Sequence, residues 1–141
     1  IYIDLDGFKE VNDTAGHEAG DTLLQTVARQ IRSGVRESDT VARIGGDEFV
    51  VILPELKSIE KLPDTVGKLL ARINKPLRIK GYICQIGASA GTAVFPRDGY
   101  DPESLLRHAD GRMYDMKHSI TRPPPAISPL AVVVRKETDR A

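Results

Sequence analysis

An α+β fold, with a mainly antiparallel central sheet flanked by helices, is what this sequence predicts, and three observations carry that reading. Short β-prone runs come in pairs joined by glycine-containing turns, residues 41–44 with 49–53 around Gly45-Gly46 and residues 77–79 with 82–86 around Lys80-Gly81. Three other stretches carry apolar residues at helical spacing. Strands connected by both hairpins and helices build a sandwich of this kind and not a doubly wound parallel sheet.

Residues 1–5 open the chain as a strand, Ile-Tyr-Ile-Asp-Leu, stopped by Gly7 and followed by a polar loop through Asn12, Asp13, Gly16 and Gly20. A helix over residues 21–35 follows from Leu23, Leu24, Val27, Ile31 and Val35, with Asp21 near its positive dipole end. The first hairpin comes next, its Gly45-Gly46 pair suited to the positive backbone angles of a tight turn. A second helix runs from about residue 62 or 64 to 74, with Val66, Leu69, Leu70 and Ile73 inward and Pro76 as its stop. After the second hairpin, residues 89–95 read as a strand ended by Pro96 and Asp98-Gly99. Asp101 opens a last helix to about residue 117, and the prolines at 123–125 and 129 make the following stretch a stiff linker. Residues 131–134 suggest one more strand or a tail. The expected organisation is a domain over residues 1–118 and a Pro-rich linker or tail over 119–141.

Composition narrows the function. A chain of 141 residues fits one domain. The absence of Trp argues against an aromatic platform for stacking bases, so no nucleic acid polymer is expected as a partner. Lys plus Arg equal Asp plus Glu at 20 each, so a phosphate site has to come from local placement of charge. The single cysteine, Cys84, leaves neither an intramolecular disulfide nor a zinc cluster and predicts a reducing, cytoplasmic setting, which includes the cytoplasmic part of a membrane-anchored protein. No apolar run approaches the roughly 20 residues that span a bilayer. The text begins on Ile inside a strand pattern, and so reads as an N-terminally truncated excerpt of a longer polypeptide.

Asp4 and Asp6 flank Leu5 at a strand end, and Asp47 with Glu48 follows the glycine turn. If the two strands are neighbours, these carboxylates converge on an outline magnesium site, since that ion takes one or two protein carboxylates together with substrate phosphates. Lys9 and the backbone N–H groups of Gly7 and Phe8 lie just past the acidic strand, placed to neutralise phosphate oxygens. His17, His108 and His118 have neither cysteine partners nor ligand spacing, and read as loop, surface or packing residues.

Gly45-Gly46-Asp47-Glu48-Phe49 is the GGDEF signature letter for letter, and residues 4–13, Asp-Leu-Asp-Gly-Phe-Lys-Glu-Val-Asn-Asp, resemble the first motif of the same family. Gly16-His17, Gly20-Asp21, Arg43, the stretch 95–99, Ala109-Asp110 and Met113-Tyr114 are similar to its successive landmarks, over about residues 1–118. The wording resembles most the GGDEF part of composite GGDEF-EAL proteins. The resemblance implies a nucleotidyl-cyclase or polymerase-palm-like fold with a ferredoxin-like core. It implies a diguanylate cyclase, condensing two GTP into cyclic di-GMP with release of pyrophosphate, in a homodimer whose half-sites meet face to face.

By the same resemblance, Asp4, Asp47 and the Leu5 carbonyl hold Mg2+ or Mn2+, and Glu48 serves that metal or deprotonates the attacking 3′-hydroxyl. Asn12 and Asp21 read guanine; an amide and a carboxylate together match its acceptor and donor edge. Gly7, Phe8 and Lys9 cradle phosphate, Lys117 stands on the γ-phosphate side, and Arg43 lends electrostatic support. Arg36 and Asp39 match an allosteric site where cyclic di-GMP binds as feedback inhibitor. After Lys117 the pattern departs: the family's Gly-Arg-Asn is replaced by residues 118–122, His-Ser-Ile-Thr-Arg, and Arg122 comes one residue late, a shift of about 100° on a helix. That departure, and the composite wording, support a second reading. In it the chain is a catalytically weak or inactive module that binds GTP or cyclic di-GMP and regulates an attached EAL phosphodiesterase domain; a covalently attached sensor domain is expected as well.

Overall fold

A computed structural model describes residues 1–119 and 121–130. Its first sheet has four strands, β1 (Tyr2–Asp6), β2 (Thr40–Arg43), β3 (Glu48–Ile52) and β6 (Gly87–Gly91), in the order β2-β3-β1-β6 with every pair antiparallel. A second sheet orders β4 (Leu77–Ile79), β5 (Tyr82–Gln85) and β7 (Ala126–Pro129) as β4-β5-β7. The helices are α1 (Phe8–Ala15), α2 (His17–Ser33), α3 (Leu62–Ile73) and α4 (Pro102–Ser119). The α+β architecture and its antiparallel sheets are those expected from the sequence. Among the described residues no helix is long and apolar enough to cross a membrane.

The alternation of β1 decides which residues meet water and which meet core. Ile3 and Leu5 point with Phe49, Val51, Ala88 and Ala90 into the main core, against Val11, Leu23, Val27 and Ile31 of α1 and α2 and Leu69 and Ile73 of α3. Tyr2 and Val50 face the other way, onto Ala109 and Met113 of α4. Asp4 and Asp6 share the Tyr2 face by the period of two, so the acids stand beneath the C-terminal half of α4. Gly91 lets that helix approach, because a Cβ there would lie 2.0 Å from the Ala109 carbonyl oxygen and 2.3 Å from the Met113 nitrogen.

Five sequence readings are corrected. The polar loop after Gly7 is helix α1: Gly7 takes a left-handed conformation as its N-cap and Phe8 and Val11 turn into the core, overriding the turn preference of Asn12 and Asp13. Gly16, at φ 94°, separates α1 from α2, which begins at His17, so Asp21 stands in the second turn and Glu18 is the first-turn acid. Neither Gly45 nor Gly46 is left-handed; residues 44–47 form a longer loop, closed by the Ile44 N–H donating to the Glu48 carbonyl at 3.0 Å. Lys80 and Gly81, at φ 46° and 80°, do make the expected tight turn.

The last strand of the first sheet ends at Gly91 and does not reach residue 95. The Val94 N–H and carbonyl are taken locally, by the Asp98 carboxylate and the Asp98 N–H, each at 2.8 Å. The stretch read as a linker contains β7, paired with β5 from Gln85↔Ala126 to Tyr82↔Pro129. Its edge position tolerates the missing proline N–H. The strand suggested at residues 131–134 lies outside the described residues.

Candidate active site

The end of β1 is held between β3 and β6. Asp4 is the register partner of Glu48 on one side and Ser89 on the other, and the Leu5 N–H donates to the Asp47 carbonyl at 3.0 Å. That bond fixes Asp47 beside β1, so acids 43 residues apart in sequence become neighbours. Asp4 is only 8% exposed. Burial, followed by the charge of Asp4, holds the Asp47 carboxyl above its ordinary range, with Lys117 among the groups pulling the other way.

Cations answer these acids from the far side. The Lys117 ammonium donates to Asp4 Oδ2 at 2.9 Å and stands 3.7 Å from Asp6 Oδ1. Its bond to Asp4 raises its pKa, keeping it charged. Arg122 donates to Asp6 Oδ2 and to the Ala88 carbonyl, and the Ser89 hydroxyl reaches the same Asp6 oxygen at 3.2 Å. Helix α4 ends at Ser119, so Arg122 lies beyond it and the helical offset expected from its sequence position does not govern its direction. Asp4 Oδ1 and Asp6 Oδ1 are buried and accept no hydrogen bond among the described residues.

Those orphaned oxygens fit a hard divalent cation. The uncommitted atoms here are carboxylate oxygens, the kind that Mg2+ and Mn2+ prefer. Among the described residues no three His, Cys, Asp or Glu side chains close around one point. The arrangement therefore suits an ion that takes a few protein oxygens and completes its shell with water and phosphate. Glu48 is anchored separately, its Oε2 accepting from the Tyr2 hydroxyl at 2.9 Å. Burial, then that bond, raises the Tyr2 phenol well above its ordinary range.

The residues expected to bind nucleotide fall around two clefts. Asp21 and Arg43 line a shallow one of about 330 Å³. Asn12 reaches this neighbourhood from α1: a Cβ on Gly20, the residue before Asp21, would stand 1.8 Å from Asn12 Oδ1. Gly7 and Lys117 line a larger cleft of about 820 Å³ with Asp6, Arg122 and Pro125. The Phe8 and Lys9 amides belong to the N-terminal turn of α1, where helical N–H groups lack intrahelical acceptors, and the Lys9 side chain is exposed. Pro125 lies across Gly7, 2.7 Å from where a Cβ would be.

Arg36 and Asp39 form a half-buried turn, not a solvated pair. Asp39 accepts from the Arg36 N–H at 2.8 Å and from its guanidinium at 3.4 Å, while Arg36 also donates to the Glu55 carbonyl at 2.9 Å. The Asp39 side chain is 2% exposed and that of Arg36 49%, so Arg36 is the accessible member. His17 heads α2 and is exposed, and His118 packs against Tyr114 with ring centroids 4.0 Å apart and the rings tilted by 45°.

Sequence reasoning missed Tyr2, Arg122 as a partner of Asp6, and Pro125. Strand alternation was a signal for Tyr2, which shares a face with Asp4. Arg122 stood out only as an arginine one residue late, and neither its pairing with Asp6 nor the approach of Pro125 gave a signal, because both depend on β7 joining the second sheet.

The profile of the family described as "Diguanylate cyclase, GGDEF domain" matches residues 1–122. The chain is 44% identical over 117 residues to the bifunctional diguanylate cyclase/cyclic di-GMP phosphodiesterase MucR of Pseudomonas aeruginosa, covering 83% of this chain and 17% of that protein. It is 38% identical over 117 residues to the cyclic di-GMP phosphodiesterase NbdA of the same organism, covering 83% of this chain and 15% of that one. The crystal structure of the GGDEF domain of YfiN, or TpbB, from Pseudomonas aeruginosa superposes with a TM-score of 0.80 at 41% identity, covering 84% of this chain and 74% of that one. The chain thus spans under a fifth of the length of these two curated relatives.

Proposed function

From the premise that this chain belongs to the GGDEF diguanylate cyclase family, we propose that it condenses two GTP into cyclic di-GMP. The observation that supports this best is the Leu5–Asp47 backbone hydrogen bond, which sets Asp47 beside Asp4 at one end of the central strands, close enough for the Asp4 charge to act on the Asp47 carboxyl. A divalent Mg2+ or Mn2+ held there would supply charge stabilisation for a transferring phosphoryl group.

The chain's own residues do the rest. Asn12, which packs against Gly20, and Asp21, the next residue of α2, select guanine over adenine by their opposite hydrogen-bonding sense. The α1 amides at Phe8 and Lys9, with the Lys9 and Lys117 ammonium groups, hold phosphate oxygens, and Arg43 adds positive charge beside Asp21. Lys117, kept charged by Asp4, exchanges part of that contact for the nucleotide's γ-phosphate. Glu48 would add a carboxylate oxygen to the ion's ligands, and the 3′-hydroxyl gives its proton to water as the new bond from that oxygen to the α-phosphorus of the second GTP forms. The bond from that phosphorus to the bridging oxygen breaks and pyrophosphate leaves; the same exchange between the other 3′-hydroxyl and the other α-phosphorus closes the ring and releases the second pyrophosphate. Each domain presents one GTP, so a two-fold homodimer assembles the reacting pair. Cyclic di-GMP returns to Arg36 as feedback inhibitor, and the reaction takes place in the cytoplasm.

Chromatography of products after incubation with GTP and MgCl2 tests this reading. Cyclic di-GMP and pyrophosphate are expected from the unaltered chain and neither from Asp47→Asn. GTP bound without turnover contradicts it.

A second reading is favoured by one specific feature. Arg122 is bonded to Asp6 and Pro125 covers Gly7, so the segment after α4 lies across the acidic edge and the phosphate-binding turn. In that reading the domain binds GTP or cyclic di-GMP without turnover and controls an attached EAL domain, as the composite relatives suggest. Arg122→Ala separates the two, since an occluded cyclase gains GTP affinity and turnover whereas a binding module gains affinity alone.

A further inference from the structure

We propose that Tyr2 is a positioning residue for the cyclase site: its hydroxyl fixes one carboxylate oxygen of Glu48 and leaves the other for the divalent ion. This rests on the function proposed above.

Three features of the strand pair carry it. The Tyr2 ring is 8% exposed and packs with Val50, Ala109 and Met113, so the underside of α4 holds it in place. Tyr2 opposes Val50 in the register while Asp4 opposes Glu48, which puts Tyr2 diagonal to Glu48 on one face of the sheet, within reach of a long side chain. The hydroxyl uses that reach, donating to Glu48 Oε2 at 2.9 Å. The loop leaves room for the same oxygen: a Cβ on Gly45 would stand 2.9 Å from Oε2, closer than ordinary contact allows. A tyrosine anchor and a bare glycine thus hold one carboxylate in place, and Tyr2 acts through Glu48. Groups that orient a ligand in this way set metal affinity without being ligands themselves.

Mn2+ titrated into the 141-residue chain with a non-hydrolysable GTP analogue, free ion read by electron paramagnetic resonance, tests the inference. Tyr2→Phe keeps the ring and removes only the hydroxyl. It is expected to weaken Mn2+ binding roughly 10–100-fold, with circular dichroism confirming the fold. In a Glu48→Gln background the same substitution is expected to change the affinity by less than about twofold, because the group it acts through is altered. Gly45→Ala, which leaves the Tyr2 packing alone, is expected to weaken Mn2+ as well. Unchanged affinity in Tyr2→Phe or in Gly45→Ala, or an equal loss from Tyr2→Phe in both backgrounds, overturns this inference alone. An unaltered chain that binds no Mn2+ beside the analogue overturns the proposed function and this inference with it.

Discussion

Gly91→Ala puts one methyl group where α4 meets β6, and its cost can be worked from the geometry. The added carbon would lie 2.0 Å from the Ala109 carbonyl oxygen and 2.3 Å from the Met113 nitrogen, where ordinary contact begins at 3.4 Å. Both atoms are helix backbone, so no side-chain rotation relieves the clash and α4 has to retreat by about 1.4 Å, the shortfall at the nearer atom. That movement loosens Ala109 and Met113 from Tyr2 and Val50 and draws Lys117 away from Asp4. A loss of about 3 kcal/mol is expected, the upper end for overpacking, lowering Tm by about 10 °C. Gly111→Ala is the internal control: it lies in the same helix, nothing stands within 4 Å of its added carbon, and a gain of about 0.5–1 kcal/mol is expected from helix propensity. Equilibrium urea unfolding followed by far-ultraviolet circular dichroism reads both. A Gly91→Ala loss below about 1 kcal/mol, or the same sign for both variants, would refute the close approach of α4 to the sheet.

Other perturbations reach other parts of the account. Gly20→Ala pushes on the far end of the Asn12 side chain, 1.8 Å from the added carbon, which can swing aside; stability should change by less than about 1 kcal/mol while GTP affinity by isothermal titration calorimetry drops about tenfold or more. Arg112, bonded to Asp98 at 2.9 Å, holds that carboxyl far below the ordinary carboxylate range. A carboxyl lowered in the folded state stabilises above its unfolded pKa of about 3.9 and loses that contribution as pH falls through the folded value, so wild type should lose more stability between pH 6 and pH 2 than Asp98→Asn in urea titrations. Asp39→Ala leaves the part-buried Arg36 N–H without its acceptor and should cost about 1 kcal/mol. Arg36→Ala should cost less than about 1 kcal/mol and remove inhibition by added cyclic di-GMP in the turnover assay.

Much of this was legible because period and turn chemistry act locally. The spacing of Leu23, Val27 and Ile31 marks α2, and Lys80-Gly81 marks a turn, whatever the rest of the chain does. The Asp4 and Asp47 pairing was legible as a conditional statement, and the register of β1 with β3 met the condition. Helix α1 was hidden because Asn12 and Asp13 favour turns in isolation, and only burial of Val11 makes the helix worth forming. Strand β7 was hidden because prolines forbid a central strand but not an edge, and nothing local says which it will be. Arg122 followed it into obscurity: its approach to Asp6 is set by where β7 docks. The glycines at 45 and 46 were read for handedness, whereas Gly45 serves by leaving space beside Glu48.

The most direct test of the shared ion is X-ray diffraction from crystals grown with MnCl2 and a non-hydrolysable GTP analogue, collected for anomalous signal. An anomalous peak about 2.1–2.3 Å from carboxylate oxygens of both Asp4 and Asp47, with Lys117 moved from Asp4 Oδ2 toward the terminal phosphate, is the expected result. Bound analogue with Lys117 still on Asp4, and no peak between the two acids, would contradict it.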